Sequence, residues 1–163
     1  MHPSRDTLAE AIRMQSVALL NTHLAAAIDL HAQMKRAHWN VCSRSFIAIP
    51  ALLDRVAAAL EAYSDALAER ADGLGATARG TIPAAGQSRL RPCPFGIAEE
   101  NDPIFAVSGA LVGFGESVRE AINLATAFGD VDTADLFTEI SRGIDHQLWF
   151  VESHVAPQKA RSQ

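Results

Sequence analysis

The sequence predicts an all-α fold, built as a four-helix bundle. Aromatic residues make up only 6% of the 163 residues, and no window alternates strictly between apolar and polar positions as a half-buried strand would. Four long segments instead repeat apolar residues every three or four positions, which is the period of an α-helix. This length predicts a single domain over residues 1–163, with the bundle core over about residues 7–156.

The first helix is predicted over about residues 7–40 because one face recurs along its whole length. That face consists of Leu20, Leu24, Ala27, His31, Met34 and His38.

The second helix is predicted to begin between Phe46 and Pro50 and to end near the glycines at 73 and 75. Proline lacks an N–H, so it fits the first turn of a helix better than a later one. Regular helix is therefore expected from about Ile49 or Pro50, with residues 46–48 irregular, or else a kink at the proline. The predicted core seam consists of Leu53, Val56, Leu60, Tyr63, Leu67 and Leu74.

The third helix is predicted over about residues 103–128, closed by Gly129. The fourth is expected to begin at Asp132 or Thr133, with Asp132 and Asp135 as an N-capping pair, and to stop before Pro157.

The segments between these helices differ greatly in length. Residues 80–96 carry three prolines and three glycines, too many for a long helix, whereas residues 129–132 form a tight corner. One long crossover between the second and third helices, with short corners elsewhere, is the connectivity of a ferritin-like bundle.

Composition excludes some classes of function. The formal net charge is −5 and there are only two lysines, so a polyanion such as DNA is not an obvious partner. Cys42 and Cys93 lack disulfide or CxxC spacing, which favours a reducing, cytoplasmic setting. No apolar run is long enough to span a membrane, and no basic-then-apolar leader is present.

Three carboxylates of the second helix, Asp54, Asp65 and Glu69, lie on the face roughly opposite the core seam. A solvated acidic face is the simpler interpretation, and the sequence has no Glu-x-x-His pair of the usual di-iron kind. The alternative is a metal site. Asp54 and Asp65 are about 16 Å apart along the axis, so one metal cannot bind both within one chain. Two antiparallel copies about a two-fold axis would bring Asp54 of one chain to Asp65 and Glu69 of the other.

Two histidines and a tryptophan near the first corner also have ordinary interpretations. A histidine on a helical face, such as His38 or His31, is more often packed or hydrogen-bonded than a metal ligand. Trp39 is most simply a buried aromatic anchor.

The chain resembles the Dps proteins, the DNA-binding proteins from starved cells, also called miniferritins. The resemblance runs over about residues 18–155 and begins with Ala-His-Trp-Asn-Val at 37–41. It continues through residues 46–49, 53–54, 65–70, 74–81, 132–142 and 148–150, with Asp145 and Glu152.

This resemblance implies a hollow homo-oligomer, a dodecamer, that oxidises Fe(II) with hydrogen peroxide and stores ferric iron. It implies a ferroxidase centre between two-fold-related subunits, with His38 and Asp54 from one chain and Asp65 and Glu69 from its partner. Trp39 would lie beside the centre and intercept oxidising equivalents. Asp130 and Asp135 resemble the acidic residues of an iron-entry pore, although helix capping explains them equally well.

The sequence departs from the family pattern at three places. The second ligand histidine, expected four residues before Asp54, is Pro50, which has no lone pair to offer. The loop glycine is Ser43, and its usual small neighbour is Arg44. Lysine-rich tails are absent: the ends offer only Arg5, Lys159 and Arg161.

Four functions follow from these observations. The first is an active ferroxidase and iron-storage cage whose centre lacks one histidine but keeps a hard-ligand set suited to Fe(II). The second is a cage with a crippled centre, acting in passive iron storage or structural protection. The third is a DNA-compacting protein, which the acidic charge disfavours and the avidity of weak tails in a cage would assist. The fourth is a bundle unrelated to metals.

Overall fold

Four helices form the part of the chain that the computed structural model describes, residues 6–40, 48–81, 90 and 103–155. They are α1 (Glu10–Asn40), α2 (Ala48–Gly73), α3 (Pro103–Phe128) and α4 (Val131–Val155). No strand occurs in these ranges, which confirms the all-α prediction. Within the same ranges, no helix is both long enough and apolar enough to cross a bilayer.

Helix directions follow from contacts at the two ends of the bundle. Arg55, early in α2, lies beside His146, late in α4, whereas Arg70, late in α2, bonds to Asp130, just before α4. Helices α2 and α4 are therefore antiparallel. Because α3 ends at Phe128, two residues before Asp130, α2 and α3 run in the same direction. Parallel α2 and α3 are the arrangement that the ferritin-like connectivity, with its long crossover between these two helices, predicts.

The core is built from the faces that the apolar periodicity predicts. In α1 and α2, every aliphatic member of the two predicted seams is buried, whereas Tyr63 is half-buried and the three carboxylates opposite are exposed. Helices α3 and α4 complete the core with Val107, Leu111, Phe114, Val118, Phe137, Ile140, Ile144 and Val151.

Glycine ends two helices in the same way. Gly75 and Gly129 have φ angles of 87° and 85°, in the left-handed region that favours glycine. At each end, two backbone N–H groups donate hydrogen bonds to carbonyls of the last helical turns. At the end of α2, Gly75 bonds to Asp72 and Ala76 to Ala71; at the end of α3, Gly129 bonds to Thr126 and Asp130 to Ala125. These paired bonds are a Schellman motif, and they confirm the predicted glycine stops.

The start of α4 corrects one prediction. The N-cap is Asp130, not Asp132: the Asp130 Oδ1 atom accepts a 3.0 Å hydrogen bond from the N–H of Thr133, and its carbonyl accepts the N–H of Ala134. The turn closed by Gly129 places Asp130 at this position, so Asp132 falls in the first helical turn and is exposed.

The starts of α1 and α2 lie close to their predicted positions. Helix α1 begins at Glu10, three residues after the predicted start. Helix α2 includes Ala48, so the expected irregularity at that residue is wrong. Pro50 is the third residue of α2, in the first turn, where its missing N–H costs no intrahelical bond. Phe46, the cysteines, Ser43, Arg44, Pro157 and the terminal cations lie outside the described residues.

Candidate metal centre

The corner between α1 and α2 brings two α1 side chains to Asp54. Lys35 and His38 are three residues apart, so they share one face at the end of α1. Asp54 lies in the second turn of α2, one turn after Pro50. The Lys35 ammonium donates a 2.7 Å hydrogen bond to Asp54 Oδ1, and His38 Nδ1 lies 2.9 Å from the same oxygen. The two predicted ligands that belong to the same chain, His38 and Asp54, therefore lie next to each other.

The His38 Nδ1 atom lies within ion-pair distance of the carboxylate, without a hydrogen bond of regular geometry. It is inaccessible to solvent, and no other group among the described residues serves it as a hydrogen-bond partner. Two cis ligands each about 2 Å from a transition metal lie about 3 Å apart. The observed 2.9 Å between His38 Nδ1 and Asp54 Oδ1 matches that spacing. An unsatisfied imidazole nitrogen beside a carboxylate is a donor pair that fits Fe(II).

The Asp54 carboxyl is held in its ionised form. The hydrogen bond from Lys35 is the largest influence. Together with the charges of His38 and Lys35 and the close contact with His38, it outweighs partial desolvation, so the pKa of Asp54 lies below its ordinary value of 3.8. Its side chain is 47% exposed. Asp54 is thus a solvent-accessible carboxylate at neutral pH, the state that binds a metal.

The other two predicted ligands are far from this pair within one chain. Asp65 and Glu69 are exposed on α2, eleven and fifteen residues beyond Asp54. At 1.5 Å per residue, these offsets are about 16 and 22 Å along the axis. Correspondingly, no three His, Cys, Asp or Glu side chains gather around a common point among the described residues. Within one chain, the four predicted ligands therefore fall into two separate groups, His38 with Asp54 and Asp65 with Glu69.

Trp39 is not the buried anchor predicted from its side chain. It is 72% exposed at the end of α1. Ala37 occupies the core position of this turn and is fully buried. Trp39 follows two residues later, so its side chain points about 160° away from that of Ala37 around the helix axis. His31, two turns before His38, is half-buried. Sequence reasoning missed Lys35, although its spacing from His38 was visible.

The two pore candidates differ in their surroundings. Asp130 is 1% exposed, and its carboxylate accepts hydrogen bonds from Arg70 at 2.8 Å and from the Thr133 hydroxyl at 2.6 Å. Burial by itself would raise the pKa of Asp130, but Thr133, the nearby Ser16 hydroxyl and Arg70 together lower it. These contacts support the capping interpretation for Asp130. Asp135 is exposed and is still a candidate.

Comparisons with known proteins agree with this architecture. A family model described as a ferritin-like domain matches residues 17–159. The DNA protection during starvation protein of Agrobacterium fabrum is 36% identical over 155 residues, which are 94% of this chain and 96% of that protein. Among solved structures, DpsC from Streptomyces coelicolor is 28% identical with a TM-score of 0.86, covering 97% of this chain and 92% of that one. Dps from Microbacterium arborescens in the high iron form is 29% identical with a TM-score of 0.82, covering 94% and 98%.

Proposed function

This chain belongs to the Dps family of ferritin-like proteins, and we propose that it oxidises Fe(II) with hydrogen peroxide and stores the ferric product in a hollow homo-oligomer. Iron is the substrate and the cargo. The observation that carries the proposal is the pairing of the unsatisfied His38 Nδ1 with the exposed Asp54 carboxylate, 2.9 Å apart. The name of the Microbacterium relative, which refers to a high iron form, also supports an iron-related role.

The complete centre requires two chains. Asp54, Asp65 and Glu69 share the outward face of α2, and Asp54 lies near one end of that face. If two α2 helices pack antiparallel about a two-fold axis, His38 and Asp54 of one chain meet Asp65 and Glu69 of the other. The same operation generates a second, equivalent site. Each site then offers one imidazole and three carboxylates, a donor set suited to Fe(II).

The reaction at such a site balances without another reductant. Two Fe(II) ions give up one electron each, and hydrogen peroxide takes up both electrons and two protons to become two water molecules. The protein holds Fe(II) where peroxide can reach it, and the assembled shell confines the ferric mineral. Trp39, exposed one residue after His38, is placed to intercept oxidising equivalents that leave the site. We propose a dodecamer for the shell and Asp135 as a residue of its iron-entry pore.

Iron oxidation by purified protein tests this function. Fe(II) is added anaerobically, peroxide follows, and ferric absorbance is recorded for the wild type, Asp65→Asn and Glu120→Gln. Glu120 is an exposed carboxylate on α3, so its variant controls for the loss of one surface charge. Fast ferric formation that Asp65→Asn slows and Glu120→Gln preserves supports the proposal. Ferric formation no faster than in buffer, or equally fast in all three proteins, contradicts it.

A cage with a crippled centre is the second candidate, and Pro50 favours it. The proline stands one turn before Asp54, on the same face, where a ligand histidine would complete the set. Such a cage would store iron passively or protect DNA, as the name of the Agrobacterium relative suggests for that protein. The net charge of −5 makes DNA binding weak and strongly dependent on salt. Slow oxidation together with Fe(II) binding that depends on Asp54 distinguishes this candidate from an active ferroxidase.

A further inference from the structure

We propose that Lys35 sets the metal affinity of the His38–Asp54 pair, with its ammonium group acting as an internal cation that competes with the incoming metal. The inference rests on the proposed function, because it concerns the same centre. It adds a residue that limits how tightly the centre binds its substrate.

Lys35 and a metal bound by His38 and Asp54 would compete for the same atom, Asp54 Oδ1. Lys35 Nζ lies 2.7 Å from Asp54 Oδ1, and His38 Nδ1 lies 2.9 Å from that oxygen. A metal shared by His38 and Asp54 would approach the oxygen that Lys35 already occupies. A protonated amine has three donors and no lone pair, so Lys35 cannot become a ligand in this form.

Lys35 weakens metal binding by either of two routes. If the metal takes Oδ1, the 2.7 Å hydrogen bond from Lys35 is lost. If the metal takes the second carboxylate oxygen, the ammonium stays within a few ångströms of a divalent cation and repels it. The Lys35 side chain is only 34% exposed, so its charge is less screened than that of a free surface lysine.

A second cation–carboxylate pair in the same chain provides a matched control. Arg119 and Asp145, on α3 and α4, form a 3.1 Å ion pair in which both side chains are about half exposed. Arg119→Met removes one positive charge from the protein, as Lys35→Met does, but leaves Asp54 untouched. A difference between the two variants therefore reports the local contact and not the net charge.

We expect Lys35→Met to bind Fe(II) about five- to tenfold more tightly than the wild type, because it removes both the competing ion pair and the repulsion. Methionine keeps an unbranched apolar stem of similar length, so the packing against α2 is retained. Lys35→Gln is a second variant with the same expected direction, and circular dichroism with size-exclusion chromatography verifies fold and assembly in both.

The test is anaerobic isothermal titration calorimetry with Fe(II), repeated with Co(II), whose visible absorption reports ligand binding independently of oxidation activity. The proteins are the wild type, Lys35→Met, Lys35→Gln, Arg119→Met, Asp54→Asn and the double variant Lys35→Met/Asp54→Asn. Tighter binding in both Lys35 variants, unchanged affinity in Arg119→Met and loss of the gain in the double variant support the proposal.

Three results overturn it, and they separate its failure from failure of the proposed function. If wild-type binding depends on Asp54 but the Lys35 variants bind no more tightly, Lys35 does not compete and only this inference fails. If Arg119→Met gains as much as Lys35→Met, the effect is one of net charge. If neither the wild type nor the Lys35 variants bind metal in a way that depends on Asp54, the proposed centre fails, and this inference fails with it.

Discussion

Two aspartates near opposite ends of the bundle, Asp54 and Asp130, show how similar chemistry can serve different purposes. Asp54 and Asp130 each face a cation, Lys35 and Arg70 respectively, at 2.7 and 2.8 Å, and each has a lowered pKa. They differ in solvent access, since the Asp54 side chain is 47% exposed and that of Asp130 is 1% exposed. Asp130 also has Thr133 as a donor on both oxygens, whereas the hydrogen bond and ion pairs of Asp54 with the described residues all involve its Oδ1 atom. The saturated, buried carboxylate joins helices, and the open one can bind a ligand.

The largest effect is expected when Asp130, the buried aspartate, loses its charge. Asp130→Asn leaves the half-buried Arg70 guanidinium without its counter-charge while preserving side-chain shape. We expect a loss of about 2–3 kcal/mol in the free energy of unfolding. Urea denaturation at one fixed protein concentration measures it, because stability in an oligomer depends on concentration. Asp132→Asn, two residues away and exposed, is the control and should change stability by less than about 0.5 kcal/mol. Equal effects of the two variants would show that the Arg70 contact adds nothing.

Removing the charge of Asp54, the exposed aspartate, should have little effect on stability and a large effect on Fe(II) binding. Asp54→Asn breaks a solvent-exposed ion pair, so stability should change by less than about 1 kcal/mol. Fe(II) affinity at the centre should fall by at least about tenfold, since even partners outside the coordination sphere contribute that much. Urea denaturation and anaerobic calorimetry on the same preparation give both numbers. A large stability loss with unchanged affinity would reverse the two assignments.

The pH dependence sharpens the contrast further. Because the pKa of Asp130 is lowered from 3.8, its contribution to stability is present above about pH 4 and is lost as the pH falls through the folded-state pKa. The stability gap between the wild type and Asp130→Asn should therefore be constant from pH 7 to about pH 5 and narrow below about pH 4. Urea midpoints measured at a series of pH values test this. A gap that stays constant down to pH 3 would mean that the charge of Asp130 does not stabilise the fold.

The smallest effect concerns Pro50. Pro50→His places an imidazole one turn before Asp54 and should raise Fe(II) affinity by less than about tenfold, because Lys35 still occupies the same carboxylate. The fold should tolerate the change, since the position lies in the first turn of α2. Calorimetry of Pro50→His beside Pro50→Ala separates a new ligand from the mere loss of proline. If both variants match the wild type, the missing histidine does not limit the centre.

Features set by local geometry were predictable from the sequence. Gly75 and Gly129 end their helices because a left-handed residue must follow the last turn, and glycine adopts that conformation without strain. The seam of α2 follows from the helical period alone. The same period places Asp54, Asp65 and Glu69 on the opposite face, where all three are exposed.

Features that depend on register between elements were not predictable in this way. The corner after α3 offers Asp130, Asp132 and Asp135 as caps, and only the turn at Gly129 selects Asp130. Lys35 was missed because its partner is nineteen positions away on another helix, so the pairing depends on how α1 packs against α2. Trp39 was assigned to the core from its hydrophobicity, although its position on the helix turns it outward. A centre in which Asp65 and Glu69 of a second chain meet His38 and Asp54 is still a prediction.

Mixed oligomers test the central claim, a centre shared between two chains, most directly. Asp54→Asn retains Asp65 and Glu69, and the double variant Asp65→Asn/Glu69→Gln retains His38 and Asp54. Neither protein alone should bind Fe(II) tightly. When the two are co-expressed with different tags and purified together, a dimer containing one of each regains one intact site. Random pairing should then restore binding at about a quarter of the sites. Recovery to that level, measured by anaerobic calorimetry, is what a shared centre predicts. Mixed oligomers that bind no more Fe(II) than either variant alone would contradict it.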